Sequence, residues 1–176
     1  MKDIVKEWLP YIIIVILVIL IRSYIVTPVI VRGSSMDKTL KDGEVLFLSK
    51  ISYTISEIKR YDIVVVKDID EDLIIKRVIG LPGDNIEYKD DVLYINGKKS
   101  KKRFTKDETE DFTLEEICKI NEIECNGKIP KDMYLLLGDN RDVSADSRVK
   151  GLIKREQILG KTVLRVWPLT RISITK

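Results

Sequence analysis

The chain has 176 residues and a formal net charge of +3, which is enough sequence for one domain with a hydrophobic core. It contains no histidine and only two cysteines, which excludes Ser-His-Asp and Cys-His catalysis and argues against a structural zinc site. Charges of both signs alternate locally, so the charge pattern does not indicate nucleic-acid binding. Any hydrolytic chemistry in this chain therefore needs Lys, Asp or Glu as its base.

The first predicted element is an apolar segment from Val5 to Tyr24, which has about the length of a membrane span. Lys6 and Arg22 would extend toward the two membrane interfaces, where Trp8 and Tyr24 also belong. The segment lacks the small-x-small cleavage site of a secretory signal, and it is apolar all round rather than on one stripe. We therefore predict a single uncleaved transmembrane anchor, and the flanking charges leave its orientation open.

The remainder of the chain predicts a mainly β domain, because its strands are too short and too closely spaced for βαβ units. The predicted strands cover residues 29–31, 45–48, 61–66, 73–79, 86–89, 92–95, 133–137 and 162–167. Strand 61–66 is mostly apolar and β-branched, so we expect it to be buried on both faces. Asp90-Asp91 and Asn96-Gly97 predict two tight reversals. The capping-box spacing of Thr113 and Glu116 predicts one soluble helix, from Leu114 to about Ile123.

The strand predicted at 73–79 contains two neighbouring cations, Lys76 and Arg77, among apolar residues. Adjacent residues of a strand face opposite sides, so one cation faces inward unless the strand lies at an edge, where Lys76 would merely cap it. Burial can lower the pKa of a lysine from about 10.4 to about 7, which lets the neutral amine act as a base. Arg77 cannot take this role, because a guanidinium does not deprotonate in proteins.

The candidate nucleophile is Ser35, in the Gly33-Ser34-Ser35 turn between the apolar segment and the β domain. Such a turn is ordinarily a linker, because Gly and Ser are common turn residues. A neutral Lys76 beside the Ser35 hydroxyl would instead form the Ser-Lys pair that replaces a Ser-His-Asp triad.

A polar turn from Gly138 to Arg148 directly follows the apolar residues 134–137. One interpretation is a long solvated loop. The other is a supporting shell, in which Ser144 orients the lysine amine by a hydrogen bond while Asp146 and Arg148 form a charge-assisted pair.

Four motifs occur in a recognisable order after the apolar segment. They are Gly-Ser-Ser-Met-x-x-Thr-Leu from Gly33, Tyr-Asp-Ile-Val-Val-Val from Tyr61, Lys-Arg-Val-Ile-Gly-Leu-Pro-Gly-Asp from Lys76, and Gly-Asp-Asn-Arg-x-x-Ser-x-Asp-Ser-Arg from Gly138. Together they resemble the bacterial type I signal peptidases, in a short form like that of Gram-positive bacteria. These proteins are membrane-anchored Ser-Lys endopeptidases that remove signal peptides from exported proteins.

The resemblance implies Ser35 as the nucleophile and Lys76 as the general base. It implies Ser144 as the hydroxyl that orients the lysine. Asp146 and Arg148 would have structural roles, and Arg77 would join Asp146.

The resemblance also implies the domain organisation and location. Residues 1–27 would form a cytoplasmic N-terminus and a single transmembrane anchor. Residues 28–176 would form an extracytoplasmic, antiparallel β catalytic domain, with a variable insertion at 98–131. A monomer with no cofactor and no metal is expected, with the lipid bilayer and preprotein signal peptides as its partners and no nucleic acid.

The substrate would lie extended as an added strand and would be cut after small residues at positions −3 and −1. Val31, Met36, Leu40 and Ile75 occupy the positions that match the pocket walls of the family, although ordinary core residues would fit the same pattern. The family usually has Pro where Lys38 stands here, which puts the rigidity of that turn in question. Some members have a Ser at the position of Gly33 whose hydroxyl binds the oxyanion. In this chain that task would pass to backbone N–H groups, notably that of Ser35.

Cys118 and Cys125 are close enough in sequence to close a small loop. An extracytoplasmic domain would permit a disulfide between them, and two free thiols are the alternative. Two other functions remain open from the sequence: a self-cleaving Ser-Lys regulator, and a non-catalytic membrane-tethered β module in which Ser35 and Lys76 are incidental.

Overall fold

The structure, a computed structural model, describes residues 2–68, 71–105 and 107–175, except for the helical side chains of residues 2–7, 20–24, 54 and 55. Its helices are α1 (Lys2–Tyr24), α2 (Ser52–Ile55), α3 (Leu114–Ile120) and α4 (Ser147–Lys150), and two short 3₁₀ helices cover Arg155–Gln157 and Leu169–Arg171. The first six strands are β1 (Val26–Ile30), β2 (Val45–Ser49), β3 (Ile63–Lys67), β4 (Leu73–Gly80), β5 (Ile86–Lys89) and β6 (Val92–Ile95). The other six are β7 (Lys98–Lys99), β8 (Phe112–Thr113), β9 (Met133–Leu137), β10 (Ile153–Lys154), β11 (Ile158–Trp167) and β12 (Ser173–Ile174).

The predicted anchor forms helix α1, which contains Pro10. Its side chains from Trp8 to Ile19 are exposed. Within the described part of the chain, no helix combines the length and the hydropathy that a membrane crossing requires. The side chains of Lys6, Arg22 and Tyr24, on which the predicted interfacial contacts depend, lie outside the described residues, so the transmembrane anchor stays a prediction.

Two antiparallel sheets form the rest of the fold. The larger has the strand order β1-β2-β11-β3-β4-β9-β10, with β12 also paired to β11, and the smaller has the order β7-β6-β5-β8. All the strand pairs described are antiparallel, which confirms the predicted fold class of the β region. Strand β11 lies between β2 and β3 in the larger sheet. This C-terminal strand therefore connects β2, which follows Ser35, to the β3–β4 pair, which contains Lys76.

Most of the predicted strands form with nearly the predicted bounds, and β3 is buried over residues 63–66 as expected. It begins at Ile63 rather than Tyr61, because Tyr61 adopts a left-handed backbone with φ +75°. Strand β11 begins at Ile158, four residues before the predicted start. There Ile158 pairs with Val66 of β3, a partner that local sequence cannot reveal.

The two predicted reversals have the backbone of type I′ turns. Asp90 and Asp91 have φ values of +49° and +58°, and Asn96 and Gly97 have φ values of +52° and +73°. Since a type I′ turn requires positive φ at both central residues, these pairs set the registers of the β5–β6 and β6–β7 hairpins.

Helix α3 has the predicted capping box. The Thr113 hydroxyl accepts from the Glu116 N–H, and the Glu116 carboxylate accepts from the Thr113 N–H at 2.7 Å. The helix ends at Ile120 instead of about Ile123, because the next two N–H groups bond to carbonyls three residues back and Glu122 takes φ +57°. A left-handed residue terminates an α-helix.

Three apolar clusters form the core of the β region. The first holds the turn after Ser35 on the larger sheet, because Met36 and Leu40 pack with Ile63 and Val65 of β3. The second lies on the opposite face of β3 and contains its alternate residues together with residues of β4 and β9. The third joins α3 to the smaller sheet and includes the disulfide between Cys118 and Cys125, whose Cα atoms are 6.1 Å apart.

Replacing both Cys118 and Cys125 by Ser should lower the free energy of unfolding by about 2 to 3 kcal/mol, because the disulfide closes a short loop and restricts the unfolded chain. Urea titration of the full chain in detergent measures this difference. Thiol titration of the unreduced wild type provides the control and should find no free thiol; two free thiols would contradict the disulfide.

Candidate active site

Ser35 lies in the turn that joins β1 to β2, and it is half-buried. The Asp37 N–H donates to the Ser34 carbonyl at 2.9 Å, which closes the turn locally. The Asn140 side chain donates to the same carbonyl at 3.0 Å, and the Asn140 N–H donates to the Ser35 carbonyl at 3.0 Å. The polar turn that starts at Gly138 therefore holds the peptide groups on both sides of Ser35.

The backbone N–H groups near Ser35 differ in their availability. Gly33 has φ +80°, which suits glycine, and its N–H donates to the Asp42 carboxylate at 2.8 Å. The Ser35 N–H forms no hydrogen bond with any described residue. Of the two predicted oxyanion positions, Ser35 has a free donor and Gly33 does not.

Lys76 and Arg77 are both buried, with 3% and 1% of their surface exposed. Strand β4, on which they lie, is paired on both sides, with β3 and with β9. The alternative in which Lys76 caps an edge strand is therefore wrong. Both faces of β4 are covered, so each cation is surrounded by protein although the two point in opposite directions.

The strand register relates Lys76 to Gly138, a glycine that contacts the turn of Ser35. Arg77 pairs with Leu137 of β9, so continuing this antiparallel register by one residue brings Lys76 level with Gly138. A Cβ atom at Gly138 would lie 2.5 Å from the Ser35 carbonyl oxygen and 2.2 Å from the Ser144 hydroxyl oxygen. Only a glycine allows this approach, and Gly138 thereby lies between the strand of Lys76 and the turn of Ser35.

Burial lowers the pKa of Lys76 to about 8, well below the ordinary value for a lysine. Asp146 raises this pKa, whereas the positive charges of Lys150 and Arg148 lower it and Asp68 raises it slightly. Loss of hydration thus outweighs the nearest carboxylate. At pH 7 this pKa leaves about one Lys76 amine in ten uncharged.

The buried hydroxyl of Ser144 makes no hydrogen bond with any described residue, so the predicted bond to the Lys76 amine is not formed. The Ser35 hydroxyl and the Lys76 amine do not bond to each other, and neither forms a hydrogen bond with any other described residue. A buried hydroxyl without a protein partner is uncommon in a folded protein.

Asp139 connects the strand of Lys76 to the turn of Ser35. Its carboxylate accepts from Arg77 Nε at 2.9 Å and from Arg77 Nη2 at 2.7 Å, and it accepts from the Thr39 hydroxyl at 2.5 Å. The remaining Arg77 nitrogen donates to the Tyr61 carbonyl at 2.9 Å. The predicted pairing of Arg77 with Asp146 is wrong, because the bidentate partner of the guanidinium is Asp139.

Asp146 pairs with Arg148, as predicted. Its carboxylate accepts from Arg148 Nε at 2.9 Å and from Arg148 Nη2 at 3.0 Å, and it caps helix α4. It also accepts from the Gly138 N–H at 3.0 Å, while Arg148 donates to the Arg141 carbonyl at 2.7 Å. These bonds fix the polar turn at both of its ends.

The four predicted pocket residues lie together in the first apolar cluster. Val31, Met36, Leu40 and Ile75 are 2%, 1%, 1% and 7% exposed. They are packed as core residues in this structure, and their role as pocket walls stays a prediction.

Three residues of the site, Thr39, Asp139 and Asn140, have contacts that the sequence did not predict. All three lie inside the recognised motifs, and this membership was the signal in the sequence that could have marked them as residues of the site. Their partners are 100 or more residues away along the chain in most of these bonds, and local patterns carry no information on such pairings. No group of His, Cys, Asp or Glu side chains in the described ranges is arranged to hold a metal ion.

Thr39→Val should lower the free energy of unfolding by about 2 kcal/mol, because it removes the hydroxyl that donates to the buried Asp139 carboxylate. Thr39→Ser keeps the donor and should cost less than half as much. Chemical denaturation of both variants in detergent gives the comparison. Equal stability of Thr39→Val and wild type would mean that this bond does not hold the turn.

Comparisons with known proteins match this chain over nearly its whole length. A family model described as signal peptidase, peptidase S26, matches residues 5–167. Signal peptidase IB of Staphylococcus aureus strain COL is 38% identical over 183 residues, which cover 98% of this chain and 95% of the relative. Signal peptidase I of Bacillus caldolyticus is 38% identical over 179 residues, which cover 96% and 93%.

The fold is similar to that of a solved relative. The crystal structure of a signal peptidase I from Enterococcus faecalis V583 matches with a TM-score of 0.50 and 36% identity, over 60% of this chain and 97% of that one. The alignments with the two relatives cover almost the full length of each protein, so the similarity is not confined to a single motif. The chain therefore belongs to the signal peptidase family, peptidase S26, and is a hydrolase of the serine endopeptidase class.

Proposed function

We propose that this protein is a membrane-anchored endopeptidase that removes signal peptides from exported preproteins, with Ser35 as nucleophile and Lys76 as general base. The observation that carries the proposal is the contact at Gly138. The Ser35 carbonyl packs against this glycine, and the buried Lys76 and Gly138 are the next residues along the ladder after the observed Arg77–Leu137 pair, one on each strand. A nucleophile and a base must lie within reach of each other before pKa values become relevant.

The buried amine meets the chemical requirement for a base. An ordinary lysine has about one neutral amine in 2,500 at pH 7, whereas a pKa of about 8 leaves about one in ten neutral. The neutral amine takes the hydroxyl proton of Ser35 as its oxygen attacks the scissile carbonyl carbon. The resulting ammonium returns the proton to the leaving amine, and the acyl group remains on Ser35 as an ester. Lys76 then takes a proton from the water that hydrolyses this ester and gives it to the departing Ser35 oxygen, which regenerates the hydroxyl and the neutral amine.

The free Ser35 N–H supports stabilisation of the tetrahedral intermediate. A backbone donor directed at the developing negative charge is worth about 3 kcal/mol in comparable hydrolases. The Gly33 N–H is already bonded to Asp42 and does not contribute in this arrangement. Oxyanion binding in this chain therefore depends on the Ser35 N–H and on any donor that the substrate-bound state adds.

The unpaired Ser144 hydroxyl supports its role as the group that orients the lysine. A buried hydroxyl gains free energy when it finds a partner, and the Lys76 amine is the group that the mechanism requires to be directed at Ser35. Hydrogen bonds in active sites are often absent in the free enzyme and form with substrate. In this proposal Asp146 and Arg148 act by holding the turn that carries Ser144.

The substrate would add an extended strand next to the catalytic turn, with small side chains at positions −3 and −1 against Val31, Met36, Leu40 and Ile75. A shallow apolar wall favours small residues because larger ones would displace packed core. The uncharged run from Trp8 to Ile21 supports a single-pass anchor in residues 1–27, with residues 28–176 as the extracytoplasmic domain.

Cleavage of a preprotein with Ala-x-Ala before its junction tests the proposal. Full-length wild type in detergent should cut after the second Ala, while Ser35→Ala and Lys76→Ala should each lose at least about a thousandfold in rate, because each removes a group that the chemical step needs. Thermal unfolding of both variants controls for folding. Cleavage by Ser35→Ala would exclude Ser35 as the nucleophile, and normal rates for both variants would favour a non-catalytic tethered module.

The pH dependence follows from the pKa of Lys76. Since the neutral amine is the active form, kcat/KM should rise about tenfold per pH unit below pH 8 and level off above it. Lys150→Met removes a positive charge that lowers this pKa, so the rising limb should move to higher pH. Lys67→Met alters a lysine in an exposed ion pair and should leave the profile unchanged. A profile that is flat between about pH 6 and pH 9 would contradict Lys76 as the base.

A further inference from the structure

A segment of the predicted variable insertion is fixed to the rest of the protein by side-chain contacts. We name this segment, formed by the described residues 103–105 and 107–109, the strap. Arg103 forms an ion pair with Asp91 at 2.6 Å, and the Thr109 N–H donates to the same carboxylate at 3.1 Å. Both ends of the strap are thus attached to the β5–β6 hairpin.

The strap also contacts the polar turn of the candidate active site. The Thr109 hydroxyl is buried and accepts from Arg141 Nη1 at 2.8 Å. Arg141 Nε in turn donates to the Gly138 carbonyl at 3.0 Å. Through Arg141, the position of the strap is linked to the glycine against which the Ser35 carbonyl packs.

A second contact joins the strap to the turn of Ser35. Lys38, three residues after Ser35, forms an ion pair with Asp107 of the strap. The Asp107 N–H donates to the Thr105 hydroxyl at 2.9 Å, which orients the carboxylate. The Ser35 turn is therefore held by Asn140 and Asp139 through one set of contacts and by Asp107 through another.

The backbone at Lys38 is unusual for its residue type. Its φ is +85°, in the left-handed region, and its N–H donates to the Asp37 carboxylate at 2.8 Å. Proline cannot adopt this conformation, because its ring fixes φ near about −65° and removes the N–H. The family usually has a proline at this position, and the turn at Lys38 has a conformation that a proline would not fit.

We propose that Lys38 is a positioning residue for Ser35: its ion pair with Asp107 docks the catalytic turn on the strap and so aligns the Ser35 hydroxyl for attack. The inference rests on the proposed function, because it assumes that Ser35 is the nucleophile. Ion pairs at partly exposed sites contribute little to global stability. Loss of this pair should therefore affect the alignment of Ser35 far more than the folding of the protein.

The test compares cleavage of the Ala-x-Ala preprotein by full-length variants in detergent. Lys38→Met and Asp107→Asn should each lower kcat about tenfold while KM changes by less than about twofold, because the alignment of Ser35 is lost while the proposed pocket residues are unchanged. Lys38→Arg should retain most of the activity. The charge-swapped variant Lys38→Glu/Asp107→Lys should recover kcat to within about threefold of wild type.

Two further variants sharpen the comparison. Lys67→Met breaks an exposed ion pair elsewhere and should leave both kcat and KM unchanged. Lys38→Pro should lose more activity than Lys38→Met, because it also disrupts the left-handed turn. Thermal unfolding midpoints of all variants identify any loss that comes from folding.

The possible results separate the inference from the proposed function. Wild-type kcat in Lys38→Met, absence of recovery in the folded charge-swapped variant, or full activity in Lys38→Pro would overturn the positioning role while leaving Ser35 and Lys76 intact. Cleavage by Ser35→Ala, in contrast, would overturn the proposed function and the inference with it.

Discussion

The buried ion pair between Arg77 and Asp139 is the interaction on which the rest of the site depends. Arg77 and Asp139 are each 1% exposed, and their charges compensate each other through two short hydrogen bonds. Removing one partner would leave an uncompensated charge in the interior at a cost of about 3 to 5 kcal/mol. Because Asp139 also accepts a hydrogen bond from Thr39, the same carboxylate connects the Ser35 turn to strand β4.

The two neighbouring basic residues on β4, Lys76 and Arg77, differ in how firmly they hold their charge, and the difference has a physical reason. Arg77 keeps its charge, since a guanidinium does not deprotonate and a bidentate carboxylate satisfies its planar donors. Lys76 has no such partner among the described residues, and burial lowers its pKa to about 8. The paired cation keeps its charge and fixes the geometry, and the unpaired one loses its proton more easily, as the proposed base must. Exchange of these two residue types would remove both properties, because Arg at position 76 could not act as a base and Lys at position 77 could not form the planar pair.

Local signals in the sequence predicted most of the fold. Strand periodicity, the type I′ residues and the capping box each depend on neighbours along the chain, and they gave correct elements. The pairings that complete the site depend on strand order, which local signals do not contain. For this reason the sequence could not decide whether Lys76 lay at an edge, it assigned Arg77 to Asp146 instead of Asp139, and it missed the early start of β11. The order of the motifs indicated which residues matter, but their contacts required the tertiary structure.

The burial of Lys76 makes folding a proton-releasing reaction. In the unfolded chain this amine titrates near its usual value of 10.5, whereas in the folded protein it titrates at about 8. Between these two values the unfolded state holds a proton that the folded state has lost, so stability increases as the pH rises through this window. Below it, both states carry the proton and the folded protein bears the full cost of a charge in its interior. The pH of the surrounding solution thus changes the stability of the folded protein through a single amine, the same amine that the proposed mechanism uses as its base.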